Sequence, residues 1–164
     1  MPRAAQSGML PRPRLLCVAL ALLACDSTGP SAEAPGSADP AVREFVALAN
    51  AHRESVGCGP LLWHDGTADV AQAHSEDMVE REFFAHQNPD GESPFDRLRE
   101  AGIDWSGAAG ENIAWGYPTA AAVLAGWLGS PGHRANLETC GYTHHGVGLE
   151  GTHWTHLFIT NPTP

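Results

Sequence analysis

Between residues 40 and 54 the chain reads PAVREFVALANAHRE, and Val42, Phe45, Val46, Ala49 and His52 fall on one helical stripe. Pro40 suits the first turn of that helix, and Gly57 and Gly59 stop it. After an apolar step, Pro60 to Trp63, the pattern predicts a second helix over Thr67 to Glu82. It should bury Val70, Ala73, Met78 and either His74 or Asp77, with Glu76, Glu80 and Arg81 outward. Residues Phe83 to Gly91 form a loop that carries His86, because Asn88-Pro89-Asp90-Gly91 is a turn signal and Pro89 cannot continue a helix. A short helix follows from Pro94 to Glu100, bounded by Gly102.

Residues 107–118 are glycine-rich and hold the polar pair Glu111-Asn112 ahead of Ile113-Ala114-Trp115. Alanine content and the spacing of Val123, Leu124 and Trp127 predict a helix from Thr119 to Leu128, ended by Pro131-Gly132, and residues 133–138 add one more helical turn. Two strand-like runs close the chain, His145 to Leu149 and His153 to Thr160, joined as a hairpin through Glu150-Gly151-Thr152. Helices with a small antiparallel sheet make this an α+β layered domain, with no internal repeat.

The N-terminus follows a different rule. Arg3, Arg12 and Arg14 precede an apolar run, Leu15 to Ala24, which is too short to cross a bilayer, where about 20 residues are needed. Residues 1–24 therefore read as an export signal. The run ends Leu22-Leu23-Ala24-Cys25, which resembles a bacterial lipobox and makes Cys25 the expected lipid acceptor; the alternative is a plainly secreted protein. Residues 25–38 then read as the lipidated cysteine and a flexible, Pro/Gly-rich linker, and residues 39–164 as one folded domain, large enough for a single core. The protein is expected outside the cytoplasm, held to a membrane through Cys25.

Without the three signal arginines, six basic residues face 19 acidic ones, a net charge of −13. The chain has no lysine and no arginine-rich stripe, so nucleic acid is excluded as a partner and an anionic membrane face would repel the domain. Cys17 leaves with the signal, which reserves Cys58 and Cys140 for each other as a disulfide in an oxidising compartment. A thiolate metal site is the weaker alternative, since neither cysteine sits in a C-x-x-C or C-x-x-H spacing.

Six segments, in order, carry a family resemblance: NAHRESVGCGPLLW, AQAHSEDM, FFAHQNPDGESPFDRL, GENIAWG, WLGSPGHRAN and GVGLEGTHWTHLF. Over residues 41–160 the chain resembles the bacterial branch of the CAP superfamily, which includes cysteine-rich secretory proteins, venom allergens and plant pathogenesis-related proteins. The resemblance implies an α-β-α sandwich around a three- or four-stranded antiparallel sheet, with a cleft tetrad of two histidines and two acids that binds zinc or another divalent cation in some members. It places the histidines at His86 and His133 and the first acid at Glu111. The second acid is missing, because Ser130 stands in its place.

Two imidazoles are fitting zinc donors, with Glu111 and Ser130 behind them, but catalytic zinc normally keeps three protein ligands. Weakly held Zn2+ or another divalent cation is therefore expected at His86 and His133. If the domain were a hydrolase acting on peptide or cell-envelope material, Glu111, His86 and His133 would be its catalytic set. The bland alternative is that the three hydrogen-bond one another and pin their loops. His74 rivals His86 as a ligand, although its mid-helix position suits a core role. His144, His145, His153 and His156 cluster on the hairpin, where alternation sends His153 and His156 to opposite faces and favours packing over a second metal site. Asn112 and Gly132 are expected to shape the cleft backbone. The leading expectation is a binding or interaction module with a lipid, peptide or protein ligand, and the alternative is a metal-dependent hydrolase.

Overall fold

A computed structural model describes Met1, residues 31–36 and residues 38–163 of the chain. The expected signal segment and Cys25 lie outside the described residues. Among the described residues five helices and six strands follow in the order α1 (Pro40–Ser55), β1 (Leu62–Trp63), α2 (Asp65–Glu80), α3 (Pro94–Glu100), β2 (Asp104–Trp105), β3 (Ala109–Trp115), α4 (Ala120–Gly129), α5 (Pro131–Glu138), β4 (His144–Glu150), β5 (His153–Ile159) and β6 (Pro162–Thr163).

The main sheet has the order β1-β4-β5-β3, so the late hairpin occupies its centre and β3 is an edge. β3, β4 and β5 pair antiparallel, but the two-residue β1 lies parallel to β4, which makes the sheet mixed at one edge rather than antiparallel throughout. Residues 107–118, a glycine-rich stretch by sequence, contain β3, the strand that carries Glu111 and Asn112. Gly110 explains part of that composition: a Cβ there would come within 2.6 Å of the Tyr142 hydroxyl.

The sheet packs helices on both faces. α2 lies against β4 so closely that a Cβ on Gly146 would sit 2.1 Å from the Ala68 nitrogen, and one on Gly148 would sit 2.3 Å from that of Gln72. Val70 and Ala71 meet Leu157 and Ile159 there, and the Ser75 hydroxyl donates to Thr155 Oγ1 at 2.9 Å. This packing buries Ala71, His74 and Ser75 and leaves Ala73 exposed, which corrects the stripe expected for α2 by one position. On the opposite face Phe45, Trp127 and Trp154 form an aromatic core, with Phe45 edge-on to Trp127 at 5.3 Å between ring centres.

α1 departs from expectation at its last buried position, which is Arg53 rather than His52. Its fully buried guanidinium donates to four carbonyl oxygens, those of Gly59, Leu137, Thr139 and Tyr142, at 2.9–3.3 Å. With a carbonyl partner for each of its three nitrogens, the guanidinium can remain charged in the interior. His52 instead points outward to Glu138, with Nε2 2.9 Å from the carboxylate. The expected Cys58–Cys140 disulfide ties the same region together across 82 positions. Closing that loop stabilises the fold by about 4 kcal/mol in the chain-entropy picture.

Residues 31–36, read from the sequence as part of a free linker, lie against the domain. The Ser31 carbonyl accepts from Trp63 N–H at 2.6 Å, the Ala32 carbonyl accepts from Asn50 Nδ2 at 2.9 Å, and Ala34 packs on the core. Backbone carbonyls supply these contacts, which is why side-chain composition gave no sign of them. The chain thus joins the domain at the β1 edge, and the β3 edge lies three strand spacings away, roughly 14 Å.

Candidate functional site

The site straddles the free edge of β3. Strand alternation puts Glu111 and Asn112 on opposite faces, so one neighbouring pair organises two walls. Glu111 shares its face with Leu157 and α2, while Asn112 pairs in register with His156 on the face of Trp127.

On the first wall, the Glu111 side chain is 2% exposed and both of its oxygens are engaged. His86 Nδ1 lies 2.8 Å from Oε1, and Arg97 donates to Oε2 at 2.7 Å. A carboxylate accepts, so His86 Nδ1 donates the proton in this contact and its Nε2 lies on the side of the ring away from Glu111. Arg97 also donates to the His86 carbonyl at 2.9 Å, and so holds the loop as well as the acid. α3 places it: Ser93 and Asp96 close a reciprocal cap at the helix start, which sets Arg97 one residue later, facing the sheet.

On the second wall, Asn112 Nδ2 donates to the His133 carbonyl at 3.0 Å, and Asn136 Nδ2 donates to Asn112 Oδ1 at 2.8 Å and to the Glu111 carbonyl at 3.2 Å. His133 lies in the first turn of α5, after Ser130, and its ring lies 6.5 Å from that of Trp127. Burial, and then the nearby His86 ring, hold the His133 pKa below the ordinary histidine value, so it is neutral at pH 7. Ser130, Trp127, Tyr117 and Phe84 line the hollow with it.

The structure thus brings His86 and Glu111 into contact and places His133 on the other wall, which Asn136 ties to the first through the Glu111 carbonyl; among the described residues the two rings are not hydrogen-bonded to each other. Among the described residues no group of three or more His, Cys, Asp or Glu side chains is arranged to hold a metal ion. Any cation here would have His86 Nε2 and the His133 ring as donors, with Glu111 behind His86 as its orienting carboxylate.

His74, the alternative ligand, is buried beneath the cleft. Its Nε2 donates to the Ala85 carbonyl at 3.0 Å, fixing the start of the His86 loop, and burial lowers its pKa. Arg97 and Asn136 were not among the residues singled out by sequence. The scarcity of basic residues in the domain was the available signal for Arg97, and the HRAN run was the signal for Asn136.

Behind Trp127 lies a second feature that sequence did not reveal. His145 and His156 are fully buried and bonded to each other, Nδ1 to Nε2 at 3.0 Å, while His145 Nε2 and His156 Nδ1 have no partner. Burial pushes the His145 pKa down to about 3 and that of His156 well below its usual range, with the Arg53 cation adding to both. His144 and His153 remain partly exposed on the other face. The four hairpin histidines are therefore divided by the sheet.

Comparisons with known proteins identify the family and the fold. The profile of the CAP, cysteine-rich secretory protein family matches residues 46–157, most of the described domain. The chain belongs to the CAP family. The domain is 38% identical over 136 residues to the uncharacterized protein YkwD of Bacillus subtilis (strain 168), covering 82% of this chain and 52% of that protein. It is 42% identical over 117 residues to the uncharacterized membrane protein YlbC of the same strain, covering 71% of this chain and 34% of the relative. This CAP chain therefore spans about half or less of the length of these relatives.

Among solved structures, an extracellular SCP-domain protein of Bacillus anthracis superposes with a TM-score of 0.71 at 34% identity, over 77% of this chain and 45% of that one. An outer surface protein of Borrelia burgdorferi shares the fold at a TM-score of 0.63 and 20% identity, over 73% of this chain and 95% of that one. These relatives are extracellular or outer-surface proteins, and among the described residues no helix is long and apolar enough to cross a membrane.

Proposed function

We propose that this CAP domain is an exported binding module, held at a membrane through lipid on Cys25, whose β3-edge cleft recognises a ligand and takes a divalent cation only weakly. One observation carries the reading: both oxygens of Glu111 are already committed, to His86 Nδ1–H and to Arg97. A general base must be free to take a proton from water, and a buried carboxylate bound to a guanidinium is not. What the cleft offers is two imidazole rings with the Ser130 hydroxyl beside them, fewer nitrogen, sulfur or carboxylate ligands than the three that catalytic zinc normally keeps. Attachment at the β1 edge leaves the β3 edge turned away from the tether, which suits presentation of the cleft to the surroundings. The extracellular relatives support export.

Zinc titration of the purified protein tests this reading. Binding should be weak and should fall at least about tenfold in both His86→Ala and His133→Ala, because removing one of two ligands removes most of the site. Zinc-dependent turnover of peptide or ester substrates that is lost in Glu111→Gln would replace the binding module with the metal-dependent hydrolase. For the anchor, Cys25→Ala should release the protein from membranes into the medium; retention would refute lipidation there.

A further inference from the structure

Val79, Phe84 and Trp115 are large hydrophobic residues that remain exposed, at 38%, 46% and 61%. Sequence position scatters them over the end of α2, the His86 loop and the end of β3, yet they converge on one groove of about 360 Å³. Trp115 stacks on His153 with ring centres 5.3 Å apart and planes 14° from parallel, and Phe84 stands 6.2 Å from Trp115, tilted across the end of this platform. Met78 and Phe83 complete the apolar floor. Phe84 and Trp115 also line the His133 hollow, so the platform continues directly into the cleft.

A single carboxylate, Glu82, lines this apolar surface. It has φ 53°, in the left-handed region, immediately after the α2 cap, where Phe83 N–H reaches back to the Met78 carbonyl at 3.1 Å. Glycine is the usual residue at such a helix end, and a glutamate there costs of order 1 kcal/mol. The fold therefore keeps an acceptor in the groove at the expense of helix-end stability.

We infer that this groove binds a neutral glycan built of N-acetylated hexosamine units, one sugar ring lying on Trp115. Three features select that chemistry. A flat, exposed aromatic face matches the C–H face of a pyranose while leaving its hydroxyls in water, whereas an acyl chain laid on the same open ledge would stay half solvated. The floor of Met78, Val79 and Phe83 offers a place for an acetamido methyl, and Glu82 accepts from a sugar hydroxyl or the acetamido N–H. Among the described residues the groove lining holds no arginine; Arg81 stands over the Phe83 ring at 5.7 Å, but its charge is taken up by Asp77 and Asp90, and the domain carries an excess of acidic side chains, so phosphorylated or carboxylated polymers are repelled.

This assignment rests on reading the adjoining cleft as a binding site, and the test separates the two. The full chain is titrated calorimetrically with the β-1,4-linked hexamer of N-acetylglucosamine, with the hexamer of glucose, and with zinc. The acetylated hexamer should bind more tightly than the glucose hexamer, at least about tenfold more weakly in Trp115→Ala, and several-fold more weakly in Glu82→Gln. Trp115→Phe should restore most of the loss, and zinc binding should be unchanged in Glu82→Gln, whose side chain lines the groove and not the His133 hollow. No binding at millimolar hexamer, or equal affinity in wild type and Trp115→Ala, would overturn the proposal. So would a groove that takes palmitate or an extended peptide in preference to the sugar. Loss of zinc binding in His86→Ala with sugar binding intact would leave the glycan site standing and bear on the cleft alone.

Discussion

His145 and His156 meet inside the domain, whereas His86 and His133 stand at its edge, and the two pairs differ in what surrounds each ring. Among the described residues the interior pair has no carboxylate hydrogen-bonded to it, only each other, aromatic rings and the nearby Arg53 cation. Protonating either ring would bury an unpaired charge beside another, so both stay neutral. At the edge, Glu111 accepts from His86 and turns its second nitrogen outward, while His133 sits against the hollow that the other wall encloses. The same side chain is thus packing material in one place and a presented donor in the other, and the neighbouring charge decides which.

Acid should separate the two histidine pairs most strongly. A histidine whose native pKa lies below its unfolded value near 6.5 binds fewer protons when folded. Its contribution is therefore intact above about pH 6.5 and is lost as pH falls toward the native value, about 3 for His145. The loss is roughly 1.4 kcal/mol per pH unit for each such ring, so urea unfolding at pH 4 should show several kcal/mol less stability than at pH 7. In the double variant His145→Phe, His156→Leu that slope should flatten; an unchanged slope would put the acid sensitivity elsewhere.

At the edge the largest effect should come from the arginine. Arg97→Ala leaves Glu111 buried without its cation and should cost about 3 kcal/mol in chemical denaturation, while Arg97→Lys restores part of it. His133→Ala should change stability by less than about 1 kcal/mol while weakening zinc, which separates a presented donor from a packed ring. His52→Ala, which removes a partly exposed contact with Glu138, should cost less than about 1 kcal/mol.

The helices were legible in the sequence because a core-facing stripe repeats along α1, α2 and α4, and the hairpin because two apolar runs flank Glu150-Gly151-Thr152. β1, β2 and β6 were not, since two residues leave no period to detect. β3 was hidden by its glycine-rich context, although it carries Glu111. His86, Glu111 and His133 emerged from motif resemblance, and no local spacing could have joined them. Arg97, Arg53 and the His145–His156 pair were invisible for a shared reason: each meets its partners, backbone carbonyls, a carboxylate or the other ring, only after folding. A polar side chain in an otherwise regular stripe reads as surface until its partners are known.

The orientation of His86 is the point at which the account is most directly exposed to test. Long-range proton–nitrogen NMR of the purified protein at neutral pH should show the His86 proton on Nδ1, with zinc perturbing the Nε2 resonance and leaving the Nδ1 proton in place. A proton on Nε2, or a tautomer unchanged in Glu111→Gln, would contradict the claim that the buried carboxylate sets the cleft.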